Sequence, residues 1–269
     1  MLSRRQTLLF CVLALLTGLV GCERTPEPAA ELDKVVPTPA TAETKSEKKS
    51  VDAAPELVTN PIRFTLKDST GCDDRCASFE VEWIEFPREA ALNSLVLDQV
   101  SAPTELPTKA ALSKQGQDFL RDAMEAQEPW EQIFKVSVLP GVANISVIEV
   151  VAYSYTGGAH GMTTISTINF DRATKQTLNL SDVLLPEKDA QFWHIARRVH
   201  QEWMAKQEDA QSYEGWPFVP TSMFLLTPEG LVLQYDPYAI GPYSMGTPTI
   251  TISYERLRDV LKPSYLLER

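Results

Sequence analysis

The chain of 269 residues has four cysteines, three histidines and no surplus of positive charge. Four cysteines are too few for a fold stapled by disulfides in place of a core. A formal net charge of −11 excludes nucleic acid as the main partner, because phosphate binding needs a basic face. The spacings H-E-x-x-H, G-x-S-x-G and the P-loop do not occur. Of the histidines, His194 and His200 lie six apart in a helical pattern and so face different ways. No metal site and no cofactor is expected from these residues. The one long apolar run, Leu8 to about Val20, is shorter than the roughly 20 residues a membrane-spanning helix needs. Whole-chain disorder is excluded in turn, since 43% of the residues are hydrophobic.

The N-terminus carries a sorting signal. Arg4 and Arg5 precede the apolar run, the arrangement of a secretory signal. The run ends in Leu19-Val20-Gly21-Cys22, which resembles the bacterial lipobox. That resemblance implies cleavage after residue 21 and a diacylglyceryl group on the Cys22 sulfur. Two or more acyl chains suffice for stable anchoring. Glu23 stands where the pattern's inner-membrane retention signal is Asp, so the resemblance favours the outer membrane, facing the periplasm. Cys11 would leave with the signal.

Residues 22–60 form the expected tether. Pro, Ala, Thr, Glu and Lys dominate, and the stretch has no aromatic and no Gly. Such a segment buries too little to offset the entropy of ordering it. Fully extended, it would reach on the order of 125 Å. From Pro61 the character changes: every Trp and Tyr lies beyond it. We read residues 61–269 as one domain, with 18 Lys/Arg against 28 Asp/Glu.

Within it, hydrophobic periodicity predicts strands at 62–67, 78–86, 132–139, 145–155, 162–170 and 248–254. It predicts helices at 88–100, 108–127, 187–206 and 255–261. Phe224 to Tyr235 reads as a hairpin turning at Thr227-Pro228-Glu229-Gly230. The expected class is therefore α+β: an antiparallel sheet with helices packed on one side, a single domain after a disordered tether. Asp182, following Ser181, reads as helix-start chemistry. Cys72 and Cys76, in CDDRC, are expected to pair in an oxidising compartment and staple the turn between the first two strands. Zinc would need a second pair of ligands.

Two segments stand out. Tyr153-Ser-Tyr-Thr-Gly-Gly-Ala-His-Gly161 implies a tight reversal with positive φ between strands. Leu231 to Ile252 joins two strands through an aromatic loop rich in Pro and Gly. Together, YTGGAHG (155–161), TLNLSDVL (177–184) and PYAIGPYSMG (237–246) resemble the DUF3298, or RsiV-like, domain of bacterial envelope proteins. The Cys-x₃-Cys entry and the first helix carrying Asn93 also fit. The family's members imply either the extracellular part of a lysozyme-sensing anti-sigma factor or a module attached to a peptidoglycan deacetylase. This sequence shows neither a sigma-binding segment before a membrane helix nor the paired-Asp and H-x₃-H motifs of a deacetylase. The resemblance therefore implies a fold and a binding role, with no catalytic residue.

The candidate binding residues are Tyr155, His160, Tyr238, Pro242, Tyr243 and Met245. Exposed Tyr and Pro on a rigid loop give contact area at low entropic cost. The same loop could instead be packed over the end of the sheet, and both readings stay open. His160 could serve as a ligand or general base, but a hydrogen-bonded turn histidine is the commoner role. The expected protein is an envelope lipoprotein, held to the membrane by its lipid. Its non-catalytic domain would bind a lysozyme-like muramidase or peptidoglycan. The alternatives are a cell-wall enzyme using His160 with nearby carboxylates, and a structural accessory of an envelope complex.

Overall fold

The structure, a computed structural model, describes residues 54–68, 76–99, 109–207 and 215–267. The signal segment, Cys22, most of the tether and Cys72 lie outside the described residues.

A six-stranded sheet runs in the order β1 (Asn60–Lys67), β2 (Ser78–Glu85), β3 (Glu131–Leu139), β4 (Ile145–Tyr155), β5 (Met162–Asp171), β6 (Gln176–Leu178). Neighbours are antiparallel except β2 and β3, which are parallel. The expected antiparallel pairing holds at every neighbour but this one, and the cause of the exception is the connection. Helices α1 (Ala90–Asp98) and α2 (Lys109–Ala126) lie between these strands. They return the chain to the starting edge, so β3 runs alongside β2 in the same direction.

Side chains alternate across the sheet, and each face acquires its own core. Phe79, Val81 and Trp83 of β2, Phe134 and Val136 of β3, and Ile148 and Val150 of β4 pack with Leu92, Val96 and Leu112 of α1 and α2. Asn93, buried on α1, fixes this layer: its amide donates to Phe86 O at 2.9 Å and accepts from Phe86 N at 2.8 Å. Ahead of Pro61, the Ala54 N–H donates to Asn144 Oδ1 at 2.8 Å, and Leu57 packs on this core.

On the other face lies a second sheet, β7 (Phe224–Thr227), β8 (Gly230–Gln234) and β9 (Thr249–Ile252). It buries Leu226, Leu231, Leu233 and Ile252 against Ile145 and Val147 of β4. Helix α4 (Asp189–Met204) closes this core with Phe192 and Ala196. Helices α1 and α2 thus cover one face of the large sheet, while α4 packs against the small sheet. Between β6 and α4, the single-turn α3 (Leu180–Val183) starts at Asn179, whose N–H donates to Asp182 Oδ2 at 2.7 Å. Asp182 is thus a capping acid, as its position implies.

The expected helix at 255–261 is instead a run of turns. The N–H groups of Arg256, Leu257 and Val260 each bond three residues back, and Leu261 bridges to Leu184. Leu257, Val260 and Leu261 are all fully buried, and the tie to Leu184 holds the chain in a tighter path than an α-helix. Buried Asn169 of β5 joins the two sheets. It donates to Phe224 O at 2.7 Å and accepts from Leu226 N at 2.9 Å.

Candidate functional site

The small sheet covers only part of the large one. Beyond its edge, the same face of β2–β3–β4 carries polar residues, as a solvated sheet face does. Lys135 lies 3.5 Å from Glu82 there. Two loops meet at the end of this face.

The first is the β4–β5 reversal. Gly157 and Gly158 adopt φ of 99° and 95°, which L side chains resist, so the two-glycine turn is required. Tyr155 donates from its hydroxyl to Gly158 O at 3.2 Å, bracing the turn. Gly161 is needed for a different reason: the Tyr153 ring fills the place where a Cβ would lie.

The second loop follows β8. Asp236 Oδ1 accepts from Ile165 N at 3.1 Å and fastens the loop to β5. Tyr238 then takes φ of 69°, a left-handed conformation uncommon for an aromatic residue, and stays exposed. A single 3₁₀ turn, Tyr243–Met245, begins at Pro242.

His160 sits where the loops meet. Its Nδ1 lies 2.9 Å from Gly161 O. A carbonyl oxygen only accepts, so Nδ1 carries the proton. Nε2 is then the acceptor for the Tyr238 hydroxyl, 2.9 Å away. Tyr243 stacks on the imidazole at 3.9 Å between centroids and 21° between planes. The Tyr243 hydroxyl also donates to Gly161 O, at 2.9 Å.

Of the six candidate residues, Tyr155, His160, Tyr238 and Tyr243 come together. Pro242 and Met245 serve the loop itself. Both are half-buried, and the Met245 sulfur lies against Gly241, where a Cβ would displace it. The two readings of the loop thus divide it between a bonded aromatic rim and an inward-facing stem. Sequence reasoning missed Glu131, Ser78 and Tyr153, which with Tyr155, His160 and Tyr243 line a cleft of about 490 Å³. The signal for Glu131 is its register. It pairs with Tyr155 across β3–β4 and with Ser78 across β2–β3, so all three share a face. Burial, with a contribution from the Glu131 charge, pushes the Tyr153 hydroxyl above the usual phenol range. Cys76, at the cleft's rim, is held in a disulfide, and its expected partner Cys72 lies outside the described residues.

Chemically, the cluster offers ring faces, a carboxylate and a histidine whose two nitrogens are both engaged. Among the described residues, no three His, Cys, Asp or Glu side chains gather in a set that could hold a metal ion. No described helix is long and apolar enough to cross a membrane.

Fold and site define an α+β domain whose paired loops present an aromatic–histidine cluster at the end of a sheet. Residues 181–255 match the DUF3298 family model, described as a protein of unknown function. A DUF3298 family protein from Pseudomonas aeruginosa PAO1, solved by crystallography, is 29% identical, with a TM-score of 0.66 over 80% of this chain and 99% of that one. A second, from Bacteroides fragilis NCTC 9343, is 18% identical and shares the fold, with a TM-score of 0.62 over 79% of this chain and 96% of its own. The peptidoglycan-N-acetylmuramic acid deacetylase PdaC of Bacillus subtilis (strain 168) is 26% identical over 121 residues, 42% of this chain. This match spans 26% of that enzyme's length.

Proposed function

We propose that this protein is an envelope lipoprotein, anchored through Cys22, whose domain is a non-catalytic binding module for a lysozyme-like muramidase. The observation that carries the reading is the cluster of His160, Tyr238 and Tyr243. It reaches solvent and is bonded within itself. The Tyr238 hydroxyl occupies the imidazole's free lone pair, and the proton on the other nitrogen is held by a backbone carbonyl. That suits a preformed contact surface better than a base awaiting a substrate. An aromatic rim so bonded needs little ordering on association, and the acidic domain would steer a cationic partner.

Peptidoglycan is the second ligand, favoured by the name of the deacetylase that shares part of the sequence. Titration calorimetry of the full chain against a basic muramidase at low ionic strength tests the first reading. Co-sedimentation with purified sacculi tests the second. Tyr238→Ala and Tyr243→Ala should each weaken muramidase binding, because both remove ring area from the rim. Absence of heat with muramidase at low salt, together with retention on sacculi, would transfer the function to the glycan. Turnover of a peptidoglycan substrate that is lost in His160→Ala would restore the enzymatic alternative.

A further inference from the structure

The cleft beside the rim has a chemistry of its own. Three strands contribute Ser78, Glu131 and Tyr155 at one level, and Tyr153 stands two residues along from Tyr155 on the same face. His160 and Tyr243, stacked on one another, also line it. The cleft is therefore aromatic with one carboxylate.

Among the described residues, Glu131 makes no ion pair and no Lys or Arg lines the cleft. Lys135, further along the same strand, is taken up by Glu82. Lys67 faces Ser78 from β1, two strands from Glu131, and makes no ion pair with it. Glu131 is half-buried, and its charge is felt at the Tyr153 hydroxyl.

We propose that this cleft receives a cationic side chain of a protein partner, its ammonium or guanidinium seated against the Tyr153 and Tyr155 rings and paired with Glu131. Tyrosine faces are negative and attract cations, and the apolar stem of Lys or Arg packs along such rings. An anionic guest would be repelled by Glu131. A neutral sugar would offer Glu131 hydroxyl donors but no opposite charge, and so the weaker partner. A metal ion would need more than one hard ligand. The inference rests on the binding reading above and specifies the partner's chemistry at the point of contact.

The test uses the full chain and its Glu131→Gln and Glu131→Asp variants at low ionic strength. One arm measures binding of a basic muramidase, native and with its lysines acetylated. The other follows amide and ring NMR signals on titration with Nα-acetyl-lysine N-methylamide, its Nε-acetylated form, and N-acetylglucosamine oligomers. Glu131→Gln should weaken the native muramidase about tenfold, and Glu131→Asp should recover part of that loss. Lysine amide, but not its acetylated form, should move the signals of Tyr153, Tyr155 and His160. Equal muramidase binding by Glu131→Gln and wild type overturns the cleft proposal alone. So does an equal response to the acetylated lysine, or a response to the sugar oligomers instead. If muramidase fails to bind while lysine amide still shifts the cleft signals, the muramidase reading falls and the cation site stands.

Discussion

Asn169 gives the sharpest mechanical test of the fold. It lies on β5 with 1% exposure and serves the first strand of the small sheet as a stretch of backbone would. Its side chain donates to Phe224 O at 2.7 Å and accepts from Leu226 N at 2.9 Å. Asn169→Ala leaves both backbone groups without these partners inside a core, since Phe224 and Leu226 are buried. Each orphaned group costs about 1–3 kcal/mol, so the substitution should cost about 2–6 kcal/mol. Against a usual total of about 5–15 kcal/mol, that is a large fraction of the stability. Asn169→Asp separates hydrogen bonding from packing. Its carboxylate can still accept from Leu226 N, but its second oxygen would face the Phe224 carbonyl. Only the protonated acid can donate there, so the folded state raises the pKa of this group. A group raised on folding contributes stability that is complete below its unfolded pKa, near 3.9, and lost as pH rises through the folded value. Urea unfolding followed by tryptophan fluorescence should show Asn169→Asp gaining on wild type as pH falls from 7 toward 4. A loss below about 1 kcal/mol in Asn169→Ala, or an Asn169→Asp variant with wild-type pH dependence, would refute the bridging role.

Three further outcomes are expected. His200 is buried beside Trp203 and Phe218, and burial, with the nearby Arg197 charge, lowers its pKa. The unfolded chain then binds the proton first, so stability should fall as pH drops below about 6.5, and His200→Gln should flatten that slope in urea titrations. Gly116→Ala improves helix propensity, yet its Cβ would lie 2.6 Å from the Phe79 ring and 2.8 Å from Leu66. It should destabilise by about 1–3 kcal/mol in thermal melts, and a rise in Tm would contradict the close approach of α2 to the sheet. Cys22→Ala should move the protein from the membrane to the soluble fraction and abolish incorporation of labelled fatty acid.

The local elements were largely legible because each obeys a period. Phe134 and Val136 alternate with Lys135, and the hairpin turns where Pro228 and Gly230 stand. Helix α4 buries Phe192 and Ala196 as its stripe implies. What periodicity omits is the partner across the gap. The parallel pairing of β2 with β3 depends on where two helices return the chain, and residue spacing does not encode that. Glu131 was passed over because its meaning lies opposite Tyr155, 24 positions away. Asn169 looks like an ordinary polar residue in sequence, and Asn93 is marked there only by the family pattern. Their role appears only when a second backbone arrives beside them. The DUF3298-like loops were legible for the opposite reason: Gly157, Gly158 and Gly161 answer local geometric demands, which leave a mark in the sequence.

The two-faced sheet separates the segment that the family model covers from the unit that folds. The segment matching the family model, 181–255, holds α4 and the small sheet but none of β1–β6. Leu226, Leu231 and Leu233 are sealed against β4 residues that lie outside that segment. Excised by itself, 181–255 would carry half of an interior and expose it to water. The segment that the family model covers and the cooperative unit thus have different boundaries. Domain trimming for any solution experiment should follow the second, beginning ahead of β1 where Ala54 and Leu57 are already engaged.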